Sequence, residues 1–191
     1  MAPDRERKRF WISLVIVPVL IVVAFRINAW RNIEEYARRS ESDIVTATGN
    51  GELDYAGANW RLEKVRLIGD GRDTATRFPG DMRLVVVRLV ATAHDDIGER
   101  WSQCQVSLSD DTGRRWQPLD VTLSNNISRD LEPKVDPVKG CGITSLAPPK
   151  RNSAVMIEEK FVVPADAASK LAVRLSFASS RPKMISLPLG L

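Results

Sequence analysis

The chain has 191 residues and a net charge of +4, with 8 Lys and Arg against 6 Asp and Glu in residues 1–43 and 20 against 18 in residues 44–191. Charge spread this evenly makes a mixed surface and excludes the concentrated basic face that nucleic acid requires. One histidine and two cysteines exclude metal sites built on several His or on paired CxxC motifs.

At the amino terminus, RERKRFWISLVIVPVLIVVAFR sets Arg5, Arg7, Lys8 and Arg9 before an apolar run from Phe10 to Phe25. At about 1.5 Å per helical residue the run covers roughly 24 Å, and its extension through Arg26 to Trp30 reaches the ~30 Å of a hydrocarbon core. Trp11 and Trp30 fall where interfacial aromatic residues belong, Arg26 can snorkel to the headgroups, and Pro18 is tolerated in a membrane helix. A cleaved signal needs small residues behind its apolar core, and the one site on offer, ending at Ala29, has Ile27 where a small residue is preferred. The helix is therefore expected to stay as an anchor, with cleavage as the alternative. The crowded basic cluster keeps the short tail in the cytoplasm and places the rest of the chain outside the cytoplasmic membrane. The expected layout is a tail at 1–9, a transmembrane helix at 10–30 in contact with the bilayer, a helical stem and linker at 31–52, and one domain at 53–191.

In the stem, INAWRNIEEYARRSESD, residues Ile27, Trp30, Ile33 and Ala37 recur at helical spacing opposite Glu34, Glu35, Arg38 and Arg39, whose charges pair at i, i+4. Gly49 and Gly51 then end the helix in a short linker. Beyond Leu53 the period changes to two. CQVSLS alternates Cys104, Val106 and Leu108 with polar residues, and LAVRLSF alternates Leu171, Val173, Leu175 and Phe177 with Ala172, Arg174 and Ser176. RLVVVRLVATA, residues 83–93, is apolar on nearly both faces, as a central strand would be. Asp110, Asp111, Thr112 and Gly113 make a hairpin loop with glycine in the left-handed position. Further strands are predicted over 60–68, 116–123, 154–163 and 184–189, with Pro118, Pro164 and Pro188 at bulges, ends or edges. About seven short strands, with no long helical run among them, predict a mainly β protein, an antiparallel sandwich.

FPGDMRLVVVRLVATA, VSLSDDTGRRWQPL and KRNSAVMIEEKFVVPADAASKLAVRLSF, taken in that order, resemble the immunoglobulin-like domain of many bacterial lipoproteins and secreted antigens, a family of unknown function related to an immunoprotective extracellular antigen. The matching positions are Val85 to Val90, Asp110 to Arg115 and Phe161 to Pro164. The resemblance implies an immunoglobulin-like sandwich and a place in the cell envelope, and nothing about chemistry. This chain carries a membrane helix where the family has a lipid-attached cysteine, and it inserts Ser124 to Gly140 between two strands.

With two cysteines, Cys104 with Cys141 is the single intramolecular pairing. Outside the cytoplasm the bond can persist, tying the insert to the sheet; two unpaired thiols are the alternative. Other groups carry little chemistry. His94 lies beside Asp95 and Asp96 as a solvated loop residue, and the acidic pairs lack the alternating spacing of a calcium loop. Glu158 and Glu159 are adjacent on a strand and point to opposite faces. Gly69 and Gly71 lack the third glycine of a phosphate loop. Asn126 heads a glycosylation triplet of a kind that also arises by chance.

The expected protein is a non-catalytic binding or adaptor module of the bacterial envelope, without cofactor, whose partner is another envelope or membrane protein. The alternative is a structural subunit joined to a larger membrane complex through its anchor and stem. The insert, SNNISRDLEPKVDPVKG, is read as an accessible loop and a partner surface, with Asn125, Asn126, Arg129, Asp130, Glu132, Lys134 and Asp136 as its contact residues.

Overall fold

Helix α1 runs from Pro3 to Arg39, unbroken through Pro18. The computed structural model describes residues 3–39, 41, 43–46, 51–69, 74 and 78–191. Gly49 and Gly71 lie outside them, as do the side chains of Glu34, Ala37, Arg38 and Arg39. The chain divides into two units, Met1–Ser40 and Glu41–Leu191.

In the first unit the stretch Arg9–Trp30, 22 residues, is long and apolar enough to cross a membrane. Phe10, Trp11, Phe25 and Trp30 are all exposed, as side chains that face lipid would be. Arg26 is exposed near its carboxyl end.

The second unit is two packed sheets. Its strands are β1 (Asp43–Thr46), β2 (Glu52–Tyr55), β3 (Ala58–Ile68), β4 (Met82–Ala93), β5 (Gln105–Ser109), β6 (Arg115–Trp116), β7 (Ala154–Pro164), β8 (Ala172–Ser176) and β9 (Lys183–Pro188). One sheet has the order β2-β3-β4-β7 and the other β1-β9-β8-β5-β6. The runs β3-β4-β7 and β9-β8-β5 reproduce the A-B-E and G-F-C orders of an immunoglobulin-type sandwich. Residues 43–46, which the sequence reading leaves in the linker, join the domain: β1 pairs with β9 in parallel, from Asp43 beside Lys183 to Thr46 beside Ser186. The sandwich is therefore antiparallel except at this one edge.

Two hairpins show how local sequence sets register. Between β2 and β3, Ala56 (φ 53°) and Gly57 (φ 83°) both take positive φ, the geometry of a type I′ turn. Between β5 and β6, Gly113 (φ 87°) closes the loop begun by Asp110, which accepts the Thr112 and Arg114 N–H groups at 3.0 and 2.9 Å.

The strand predicted over 116–123 is a correction. β6 ends at Trp116, before Pro118, and helix α2 (Val121–Leu131) follows. Asp120 caps it, its Oδ1 accepting the Thr122 and Leu123 N–H groups at 2.9 and 3.0 Å. Leu123, Ile127 and Leu131 then recur four residues apart on one helix face, and Ile127 is fully buried. The first part of the insert, residues 124–131, is thus helix covering the sheet, which corrects the loop read there from its polar composition, while residues 132–140 form neither helix nor strand. α2 also accounts for the two apolar faces of β4. Val85, Val87, Leu89 and Ala91 face the space between the sheets, whereas Leu84 and Val86 lie in a second cluster with Ile68 and Ile127. In the main core Trp60, Trp101 and Phe177 pack with ring centroids 4.9 to 5.9 Å apart.

Candidate functional site

Two polar places flank β7, one on each of its faces. Alternation along the strand sends Val162 outward under α2 with Glu158 and Lys160, while Ile157, Phe161 and Val163 enter the main core with Glu159 on their side. The opposite orientation expected of Glu158 and Glu159 follows from this alternation.

Under α2, Lys160 and Glu158 are 1% and 3% exposed and form an ion pair. Lys160 Nζ also donates to Ser128 Oγ at 2.7 Å and to Ser124 Oγ at 3.3 Å, both on α2. Arg88, on β4, ion-pairs with Glu158 through Nε and donates from Nη2 to Glu132 Oε2 at 2.9 Å; Arg66, on β3, reaches Glu132 Oε1 at 2.9 Å. Charges therefore alternate across three strands and a helix: Arg66, Glu132, Arg88, Glu158, Lys160. Burial would raise the Glu158 pKa, but hydrogen bonds from Lys160 and Arg88 outweigh it and hold the carboxyl below its ordinary value. The hydrogen bond from Arg88 likewise holds Glu132 low.

Ser128 and Lys160 have the spacing of a nucleophile and its base. Their surroundings give the pair a structural part instead. The Lys160 ammonium is ion-paired with Glu158, and the adjoining cavity, lined by Arg88, Ser128, Glu132 and Glu158, has a volume of about 10 Å³, room for about one water.

On the other face, the Cα atoms of Cys104 and Cys141 are 5.8 Å apart and their sulfurs are joined, as expected of the pair. Cys141 opens the short helix α3 (Cys141–Thr144). The bond ties the start of β5 to the far end of the insert. Lys139 accepts the Glu158 N–H at 3.2 Å, and Leu119 donates to the Lys160 carbonyl at 2.8 Å. The segments on either side of α2 thus protect the β7 edge where strand D of an immunoglobulin sandwich would lie. Between them a cleft of about 280 Å³ is lined by residues of β5, α2, α3 and β7. Glu159 lies in it and accepts the Cys141 N–H at 2.7 Å. Burial pushes the Glu159 carboxyl above its ordinary value, opposed in part by that N–H.

The seven contact residues read from the sequence divide between these places. Asn126, Arg129, Lys134 and Asp136 are exposed, Asn125 lines the cleft, and Asp130 is half-exposed. Glu132 faces the sheet, bound to Arg66 and Arg88. His94 is exposed, with Nε2 2.9 Å from Asp54 Oδ1. Among the described residues no three His, Cys, Asp or Glu gather as metal ligands would. The sequence reading passed over Arg88, Lys160 and Ser128. Their signal was charge inside apolar strands: Arg88 interrupts a run of Val and Leu, and Glu158 and Lys160 share one face of a buried strand.

No family model matches the sequence, and no curated protein matches it. Three solved structures are similar in shape. A conserved hypothetical protein from Bacillus anthracis has a TM-score of 0.43 at 9% identity, covering 74% of this chain and 94% of its own. An uncharacterised beta-sandwich protein from Clostridium difficile 630 scores 0.43 at 7% identity, with 78% and 95% covered. The yjhA protein from Bacillus subtilis scores 0.44 at 10% identity, with 72% and 97% covered.

Proposed function

We propose that this protein is a non-catalytic binding or adaptor module of the cell envelope, held in the cytoplasmic membrane by α1 with its amino terminus inside and its sandwich outside. The observation that carries the non-catalytic reading is the α2 network, in which each ionisable group is engaged by another group of the protein around a space of one water. Such a network holds a helix in place and has no room for a substrate. The joined Cys104 and Cys141 support an oxidising location, and the basic cluster before Phe10 supports the orientation. Membership of the immunoglobulin-like lipoprotein and antigen family belongs to the same reading and rests on the sequence resemblance.

The partner surface is the outer side of α2 and the arm behind it, where Asn126, Arg129, Lys134 and Asp136 are exposed on a base fixed by the disulfide. A pre-fixed surface loses less entropy on binding. The double charge reversal Arg129→Glu with Lys134→Glu changes exposed groups alone and leaves the fold intact. After gentle detergent extraction from the native membrane, the wild-type chain is expected to co-purify an envelope protein that the variant loses; equal recovery by both sends the contact elsewhere. One observation favours attachment as a structural subunit instead. Ile27, Trp30 and Ile33 recur at helical spacing on α1 and are 56%, 72% and 64% exposed. Loss of the partner on changing these three residues, with no effect of the α2 pair, would identify that mode.

A further inference from the structure

The cleft beside the disulfide differs in charge from the network under α2. Two of its lining residues are ionisable, Asp120 and Glu159, and both are acidic; Val106, Val121, Val138 and Ile143 contribute apolar wall. Asp120 is engaged at the amino terminus of α2 through Oδ1. Glu159 is more confined. Its Oε1 accepts the Cys141 N–H, and its Oε2 has no protein donor among the described residues. Gly140 lies against this carboxyl: a Cβ there would stand 2.9 Å from Glu159 Oε1, so a larger residue would make the carboxylate shift. The cleft thus holds a positioned, half-buried carboxylate with one oxygen free of a protein donor and no cation among the residues lining it. The Lys160 ammonium, on the opposite face of β7, offsets the burial of this carboxylate in part, and a cationic ligand in the cleft would add the direct contact that the lining does not.

The free oxygen also selects the kind of cation. A guanidinium is matched best by two carboxylate oxygens side by side, whereas an ammonium is a compact charge that one oxygen can seat. The apolar walls suit an alkyl chain behind that charge, and about 280 Å³ admits one the length of a lysine side chain. We propose that this cleft binds a primary alkylammonium group, with the charge on Glu159 Oε2 and the alkyl chain against Val121, Val138 and Ile143. The ligand is either the lysine side chain of a protein or a free alkylamine. The site is contained within the sandwich and is independent of the membrane orientation proposed above.

The test uses the full chain in a neutral detergent at pH 8, with n-butylammonium chloride as probe, n-butanol as its uncharged counterpart, and saturation-transfer NMR as readout. Saturable binding of n-butylammonium but not of n-butanol is expected. Glu159→Gln keeps an acceptor for the Cys141 N–H and removes the charge. Val121→Lys, at an exposed position on the wall, adds a competing ammonium while leaving residue Glu159 itself unchanged. Each variant that keeps the wild-type near-UV circular dichroism should bind n-butylammonium about tenfold or more weakly, the scale of a hydrogen bond to a charged group. Equal binding of amine and alcohol, no binding of either, or unchanged binding in a folded variant overturns the proposal. Nα-acetyl-lysine N-methylamide distinguishes the sources: displacement of n-butylammonium by it supports a protein lysine, and failure to displace supports a free amine.

Discussion

Lys160 is the most confined charge among the described residues, at 1% exposure, and its contacts with Glu158, Ser124 and Ser128 come from its own strand and from α2. Truncating one partner of a buried ion pair leaves the other without compensation, at a cost of about 3–5 kcal/mol. In Lys160→Met the Glu158 carboxylate keeps Arg88 as a partner, so the variant is expected to lose stability but less than that full cost, and the double variant with Glu158→Gln to recover part of the loss; denaturant titration followed by the fluorescence of buried Trp60 and Trp101 measures both. Asp110 acts through pH. Burial would raise its pKa, but hydrogen bonds from Arg114 and Thr112 outweigh that effect and hold it at about 2, below an ordinary 3.8. Because the folded-state value is depressed, its stabilisation is present above about pH 4 and is lost as pH falls toward 2. Asp110→Asn should therefore be less stable than wild type at neutral pH, and the difference should shrink across that acid window in thermal unfolding scans.

At the scale of an element, α2 joins two kinds of evidence about the sheet beneath it. Its apolar stripe seals Leu84 and Val86, its Ser124 and Ser128 bind Lys160, and Glu132, just past its end, binds Arg88. Ile127, fully buried in that stripe, is the residue on which the helix depends most. Ile127→Ala should cost about 2–5 kcal/mol, the usual range for a buried large-to-alanine change. Asp120→Ala, which removes the cap alone, should cost about 1 kcal/mol. Hydrogen exchange across 121–131 checks the order: both variants should raise exchange in the helix, Ile127→Ala far more. Equal and small effects would mean that α2 is held by its connections and not by its face.

At the scale of the whole molecule, location and covalent chemistry are linked. The disulfide closes a loop of 37 residues and stabilises the sandwich by about 4 kcal/mol in the chain-entropy account. That contribution lasts only where thiols are kept oxidised. A membrane-impermeant maleimide applied to intact cells should therefore leave Cys104 and Cys141 unlabelled until a reductant is added. Ready labelling without reductant would refute the bond, and labelling that requires lysis would put the sandwich in the cytoplasm.

The features legible in the sequence are those set by neighbours along the chain. The apolar run 10–30 forms a helix long enough to span a membrane because its composition and length are properties of the local sequence alone. The alternation in 171–177 is a strand, and Asp110 to Gly113 is a turn, because side-chain period and positive φ are local properties. The cysteine pairing followed from a count of two. What tertiary structure alone decided depends on residues far apart. Nothing near Asp43 announces its parallel partner Lys183, 140 residues on, and so the domain starts earlier than the sequence reading placed it. The stripe Leu123, Ile127, Leu131 lies among Ser, Asn and Asp that favour loops, and it becomes a helix face once β4 offers Leu84 and Val86 to cover. A lysine in an apolar strand can be buried only if acceptors arrive from elsewhere, and Ser124 and Ser128 do so on a helix more than thirty residues away. The Glu159 cleft likewise exists only because β5, β7, α2 and α3 meet around one carboxylate, an arrangement of four elements that no single stretch of the chain contains.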